Sequence, residues 1–209
     1  MVLTAFLKGA DGVFIGGCRL NECNYTTQGN YDALNMVLLC KKILEYIAMN
    51  PDRLRIDFMT SGDGILFAET MNEFGRQVKD AGPLGTGEDV PLDTLIPKIE
   101  KIIKLVPYIK IKMNEKLGTH LSSHEEYKTL FSSEEIERLF NEVESYRIDP
   151  EKCKSCGICA RQCPVEAISG KKKSPYTINQ GICIKCGTCL KACPSHFSAI
   201  NKHTAALFT

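Results

Sequence analysis

CKSCGICARQCP (153–164) and CIKCGTCLKACP (183–194) are two copies of one pattern, C-x₂-C-x₂-C-x₃-C-P. Three cysteines on one tight loop can wrap three corners of a cubane iron–sulfur cluster, but the same loop cannot also reach the fourth. In this pattern the fourth cysteine of each run serves the other cluster. The spacing therefore assigns Cys153, Cys156, Cys159 and Cys193 to a first [4Fe–4S] cluster, with iron as the metal. Cys183, Cys186, Cys189 and Cys163 go to a second. Gly157 and Gly187 leave room for backbone amides to approach the sulfides. Pro164 and Pro194 set the chain direction after each crossing cysteine.

Two other readings of these eight cysteines stand beside it. Structural zinc is held by closed four-cysteine sites built from C-x₂-C pairs, and the third cysteine of each run exceeds that need. A disulfide framework is the other, but it does not explain two identical runs that both end in proline. The repeat extends outward, IDPEKC and CPVEAI in the first copy against INQGIC and CPSHFSAI in the second. The stretch 146–202 resembles bacterial two-cluster ferredoxin modules, which implies a small α+β ferredoxin-like two-cluster domain over 147–209. His196 and Phe197 enlarge the segment after the second proline and remove no ligand.

The 209 residues suffice for one ordinary domain and a small one, and the net charge of +1 argues for neither nucleic acid nor membrane. Lys152, Lys154, Arg161, Lys171, Lys172, Lys173, Lys185 and Lys191 make the cysteine-rich part locally basic. That is either a solvated face or a field that tunes clusters and steers acidic partners. Eleven cysteines would suit a secreted chain, but the opening MVLTAFLKGADG is not a signal peptide, and no apolar run reaches transmembrane length. A reducing, anaerobic cytoplasm is expected, with no membrane insertion.

Toward the N-terminus, 13–15 reads as a buried strand bounded by glycines, and 31–49 as an amphipathic helix stopped by Asn50-Pro51. A second strand follows at 54–60 and a second helix at 65–81, closed by Gly82-Pro83. Strand–helix–strand–helix indicates α/β layering. Two strands make a poor core, so the expectation is an incomplete parallel-sheet domain, the second half of one. The glycines at 9, 12, 16 and 17 flank one strand and open no helix, unlike a dinucleotide loop.

GADGVFIGGCRLNECNYTTQGNYDA (9–33) and PDRLRIDFMTSGDGILFAETMNEF (51–74) resemble the delta subunit of methyl-viologen-reducing hydrogenases, specifically its C-terminal half. The resemblance implies an iron–sulfur subunit that couples a hydrogenase or formate dehydrogenase to a flavin-containing heterodisulfide reductase. It also implies a [2Fe–2S] cluster, for which Cys18 and Cys23 supply a pair. A binuclear cluster takes four ligands. Three explanations stand for the missing pair: a longer chain upstream, a separate polypeptide, or a lost cluster. Cys18 and Cys23 can also be read as turn thiols, and Cys40 as a packed thiol inside its helix.

The segment 83–90, PLGTGEDV, is a linker by composition, and the helical period of 92–111 is interrupted by Pro97 and Pro107. A helix starts at Ser132–Ser133 and runs through SSEEIERLFNEVESY, acidic at its positive end. His120, His124 and Glu125 lack metalloprotease order and read as a solvated loop. The domains expected are 1–85, partial α/β; 86–146, a helical connector; and 147–209, the two-cluster module.

The function expected is an electron-transfer subunit relaying electrons between a hydrogenase or formate dehydrogenase and a heterodisulfide-reductase-like flavoprotein. No residue reads as a nucleophile, base or oxyanion donor set, so no catalytic residue is assigned. The alternatives are a zinc-stabilised scaffold and a ferredoxin-type subunit of another electron-bifurcating dehydrogenase. A disulfide reductase working through Cys18 and Cys23 is a further one, although nothing near them lowers a thiol pKa.

Overall fold

A computed structural model of the chain describes residues 1–22, 29–88, 90–121 and 124–208. The chain divides into two compact units, 1–106 with 112–137 and 107–111 with 138–209.

The first unit opens with α1 (Val2–Leu7), a helix not expected from the sequence, which buries Phe6 completely. β1 (Val13–Gly17) and β2 (Leu54–Phe58) pair in parallel, Val13 opposite Leu54 and Gly17 opposite Phe58. Between them α2 (Gly29–Tyr46) buries Leu34, Val37 and Leu44, one stripe of a 3.6-residue period. Cys40 lies on the buried side of α2, and burial pushes its thiol up to about 12. α3 (Gly64–Ala81) follows β2 and ends at Gly82, whose φ of 69° is open to glycine without penalty. Phe74 of α3 meets Phe14 of β1 with ring centroids 5.7 Å apart. The α/β layering expected from the sequence is present, with a sheet of two strands among the described residues.

The segment expected to be a linker is instead folded around a buried charge. Arg53, 1% exposed, donates through Nη1 to the carbonyls of Asp11 at 2.9 Å and Gly82 at 2.8 Å. Its Nη2 faces the carbonyls of Ala81 and Pro83, and its Nε is ion-paired with Glu88. Glu88 in turn accepts from the Gly85 amide at 2.7 Å, and Asp11 accepts from the Leu84 amide at 2.6 Å. Glycine and proline set the turns, but the satisfied arginine holds the loop. Removing one partner of such a buried pair costs about 3–5 kcal/mol.

α4 (Leu92–Lys112) runs unbroken through both prolines. An interior proline costs about 3 kcal/mol. Here Leu95, Ile99 and Ile102, each 0% exposed, offset that cost at about 1.5–3 kcal/mol apiece. Three short helices follow: α5 (Asn114–Leu117), α6 (His124–Lys128) and α7 (Ser133–Asn141). Asn35 of α2, fully buried, donates to the carbonyls of Leu117 and Thr119 at 3.1 and 2.7 Å, tying down the loop after α5. Ser132 Oγ caps α7 by accepting from the Glu135 amide at 3.2 Å. The helix expected through Tyr146 stops at Asn141, because the residues beyond it are drawn into a strand.

That strand, β3 (Val143–Ile148), opens the main part of the second unit and pairs antiparallel with β6 (Ile200–Ala205). Between them lie α8 (Ile158–Arg161), a small hairpin of β4 (Ile168–Ser169) and β5 (Thr177–Ile178), and α9 (Thr188–Ala192). Tyr146, Ile168, Cys189 and Ile200 form its core. Among the described residues no helix is long and apolar enough to cross a membrane.

Candidate metal centres

The second unit is built twice from one local plan. Each half starts with tyrosine two residues before isoleucine, Tyr146–Ile148 and Tyr176–Ile178. Next comes an Asx turn. Asp149 Oδ1 accepts from the Glu151 amide at 3.0 Å, and Asn179 Oδ1 from the Gly181 amide at 2.9 Å. The same residues accept, through their carbonyls, from the amides of Cys153 and Cys183, both at 3.0 Å. Their own amides donate to Ala199 and Ala167, at 2.7 and 2.8 Å, each in the other half. The halves thus brace each other, and each cysteine run starts from a fixed point.

Within the runs the backbone turns left-handed at matching positions: Ser155 (φ 56°) and Gly157 (φ 69°), then Lys185 (φ 59°) and Gly187 (φ 77°). This coils three cysteines around one space. The glycines are also needed sterically. A Cβ at Gly157 would lie 2.9 Å from the Tyr176 hydroxyl, and one at Gly187 would lie 2.8 Å from that of Tyr146.

Two hollows result. The first is lined by Cys153, Cys156, Cys159 and Cys193, with Tyr176 and Ile200 among its apolar walls. The second is lined by Cys163, Cys183, Cys186 and Cys189, with Tyr146 and Ile168 in the matching places. Three cysteines of each set come from one run and the fourth from the other. Backbone amides approach several sulfurs, Ala167 to Cys163 at 3.3 Å and Lys185 to Cys183 at 3.4 Å.

Burial raises the Cys159 thiol above its ordinary range, opposed by the Ala160 amide and reinforced by Cys156, Cys153 and Cys193. Burial pushes Cys189 up to about 11, again against a backbone amide, that of Leu190. Thiolates gathered this closely repel one another, and cationic iron is the partner that relieves them. Four thiols around one hollow, dry walls and amides near sulfur fit a cubane iron–sulfur cluster. When bound, such a cluster supplies one-electron transfer. Among the described residues no three His, Cys, Asp or Glu side chains group as a site for a single metal ion.

The other cysteine pair is only half in view. Cys18 is exposed, just past the end of β1 at the C-terminal edge of the parallel sheet. Asn30 Nδ2 donates to the carbonyls of Cys18 and Arg19 at 3.0 and 2.7 Å, and Arg19 is ion-paired with Asp63 at 2.8 Å. Cys23 lies outside the described residues. His120 stacks on Tyr31, with ring centroids 4.5 Å apart.

Residues 1–82 match the family described as methyl-viologen-reducing hydrogenase, delta subunit. Residues 152–198 match the 4Fe-4S dicluster domain family. A delta-subunit segment fused to a dicluster segment is therefore supported. The restriction of the first to a C-terminal half is corrected, because the match is to the delta-subunit family across residues 1–82.

An iron–sulfur subunit of the F420-non-reducing hydrogenase of Archaeoglobus profundus is 39% identical over 82 residues, 39% of this chain and 59% of that protein. The vhu iron–sulfur subunit of the same kind of hydrogenase in Methanococcus maripaludis is 41% identical over 81 residues, 39% of this chain and 60% of the relative. One subunit of the ferredoxin/F420H2-dependent CoB-CoM heterodisulfide reductase of Methanosarcina acetivorans is 35% identical over 101 residues, 48% of this chain and 12% of its own length. The chain thus spans only part of each of these relatives.

Reasoning from sequence passed over the two tyrosines. Their signal was the shared Y-x-I-[DN]-x₃-C that precedes each run.

Proposed function

We propose that this chain is an iron–sulfur electron-transfer subunit of an anaerobic oxidoreductase complex, holding two [4Fe–4S] clusters. Cys153, Cys156, Cys159 and Cys193 hold the first, and Cys163, Cys183, Cys186 and Cys189 the second. The observation that carries this reading is the lining of the two hollows, each with three cysteines of one run and one of the other. The apolar walls limit water around the sulfurs other than that of the exposed Cys156, and the nearby amides set how readily the site accepts negative charge. The relatives belong to hydrogenases and to a heterodisulfide reductase. By that likeness the complex joins a hydrogenase or formate dehydrogenase to a heterodisulfide-reductase-type flavoprotein in a reducing cytoplasm. Residues 86–146 connect a delta-like segment to a ferredoxin-like one. Cys18 and Cys23 belong to a [2Fe–2S] site completed by other residues or by a partner.

The test is Cys163→Ser in protein purified anaerobically, with iron content and electron paramagnetic resonance of the reduced sample read together. About half of the iron should be lost, along with the signal of the centre that Cys183→Ser also removes. The signal removed by Cys153→Ser should persist. A colourless wild-type chain would overturn the reading, as would loss in Cys163→Ser of the Cys153-dependent centre alone.

A further inference from the structure

The two hollows differ in what surrounds them, and the difference is concentrated on one face. Cys156 of the first hollow is exposed, whereas Cys189 of the second is buried. Lys154 lines the first hollow; its counterpart in the repeat, Ile184, lines the second. Against Ser155, which follows Lys154 in the chain, lies the tip of the β4–β5 hairpin, which carries Lys171, Lys172 and Lys173, all exposed.

This tip is not a loose tail. The Ser174 amide closes the turn onto the Lys171 carbonyl at 3.1 Å, and Ser155 Oγ donates to the Ser174 carbonyl at 2.7 Å. Ser155 is the residue before Cys156. At the base of the turn Gly170 sits so close to the Tyr176 ring that a Cβ there would lie 2.5 Å from it. Tyr176 is itself a wall of the first hollow. The three lysines are therefore held in place beside the exposed thiol of that hollow. Across 151–191 there are eight Lys and Arg against two Glu. None of Lys154, Lys171, Lys172 and Lys173 is ion-paired with a described residue. By contrast, Lys152 is 3.7 Å from Asp149, and Lys202 is 3.2 Å from Glu144.

We propose that Lys154 and the Lys171–Lys173 turn form a docking surface for an acidic redox protein, which it seats over the first hollow. The inference rests on the reading of the hollows as cluster sites. A lysine turn by itself would serve any polyanion. Its fixed attachment beside an exposed cysteine of a candidate cluster site is what favours a redox protein. Charge on such a surface acts mainly through encounter and orientation, so binding should be salt-dependent.

The experiment uses the full chain, purified anaerobically, with an acidic flavodoxin as probe and basic cytochrome c as its opposite. Binding is measured by calorimetry, and carbodiimide cross-links are mapped by mass spectrometry. Flavodoxin should bind, cross-link through Lys154 or the Lys171–Lys173 turn, and lose affinity between about 50 and about 300 mM salt. Lys171→Glu/Lys172→Glu/Lys173→Glu should weaken it about tenfold or more. Lys79→Glu/Lys104→Glu, both exposed in the first unit, should leave binding unchanged.

Equal affinity in the triple variant, equal binding of cytochrome c, or cross-links confined to other lysines would overturn the proposal. So would short single-stranded RNA that outcompetes flavodoxin on the same lysines. The visible spectrum of each sample keeps the two readings apart. Loss of the clusters would sink the electron-transfer assignment, whereas intact clusters with lysine-independent binding would sink the docking surface alone.

Discussion

The first and second hollows share a backbone plan and differ in the residues between the cysteines. In one, Lys154 and Phe197 stand in the wall and Cys156 reaches solvent. In the other, Ile184 and Thr188 take part in the wall and Cys189 is buried. Phe197 comes from the longer segment after the second proline, so the one irregularity of the repeat falls at the first hollow. On the second side the Tyr146 hydroxyl donates to Glu144 at 2.8 Å, and Lys202 pairs with the same carboxylate. On the first side Tyr176 adjoins the lysine turn. Spacing makes the ring of thiols, and the intervening residues give each ring its own electrostatics. If each ring holds a cluster, as proposed, two centres alike in ligands are thereby set up to differ in potential and access.

The largest effect that can break this comparison comes from the crossing cysteines. Cys193→Ser should remove the centre that depends on Cys153 and spare the one that depends on Cys183, the mirror image of Cys163→Ser. Each should cost about half of the iron. If both substitutions removed the same centre, the crossed arrangement would be wrong.

Next in size is the response to pH, because thiols must ionise to bind metal. Cys159 is raised above the ordinary thiol range and Cys189 to about 11, in both cases chiefly by burial. Both are therefore protonated near neutrality in the metal-free chain. Protons therefore compete with iron near neutrality and below, so iron uptake should weaken as pH falls. The weakening should be about tenfold per pH unit for each thiol that has to ionise. Anaerobic reconstitution at graded pH measures the slope, and a flat profile would contradict the buried-thiol account.

The glycines sharpen the contrast between halves. Gly157→Ala and Gly187→Ala should each cost about 1–3 kcal/mol, from left-handed backbone and the clash with a tyrosine hydroxyl. Gly187→Ala should be the worse, because Glu144 holds the Tyr146 hydroxyl in place. Tyr176→Phe should recover part of the Gly157→Ala loss. Denaturant titration of the four proteins as a double-mutant cycle gives the coupling.

Smallest is the effect of Thr188→Val. Its hydroxyl accepts from the Cys186 thiol at 3.2 Å and is close enough to donate once that sulfur is ionised, and the repeat has Ile158 at the matching position. Losing that hydrogen bond should lower the potential of the second centre by about 20–60 mV. The first centre should not move. Redox titration followed by electron paramagnetic resonance checks both.

Much of this was legible in the chain. Val13 and Leu54 begin strands, α2 follows its apolar stripe, and the two runs declare their partnership by cysteine spacing. Three features were not. Pro97 and Pro107 looked like interruptions because propensity counts their cost and cannot count the burial of Leu95, Ile99 and Ile102. Val143–Tyr146 read as helix because Ser132, Glu134 and Glu135 start one, and nothing local announces the partner strand Ile200–Ala205. The segment 83–90 read as linker because its glycines and proline are local signals, whereas Arg53 lies some thirty positions away.

By itself the sequence determined how the eight thiols group around the two hollows, since the spacing of three cysteines acts over a few residues. It also determined the α/β character of the first unit, through the periods of its apolar residues. Only the tertiary structure decided which tyrosine covers which glycine, that Arg53 and Glu88 bury their charges together, and that the lysine turn is pinned beside Cys156. Those pairings join residues far apart in the chain. Their free energy comes from burial and from hydrogen bonds that exist only once both partners are in place.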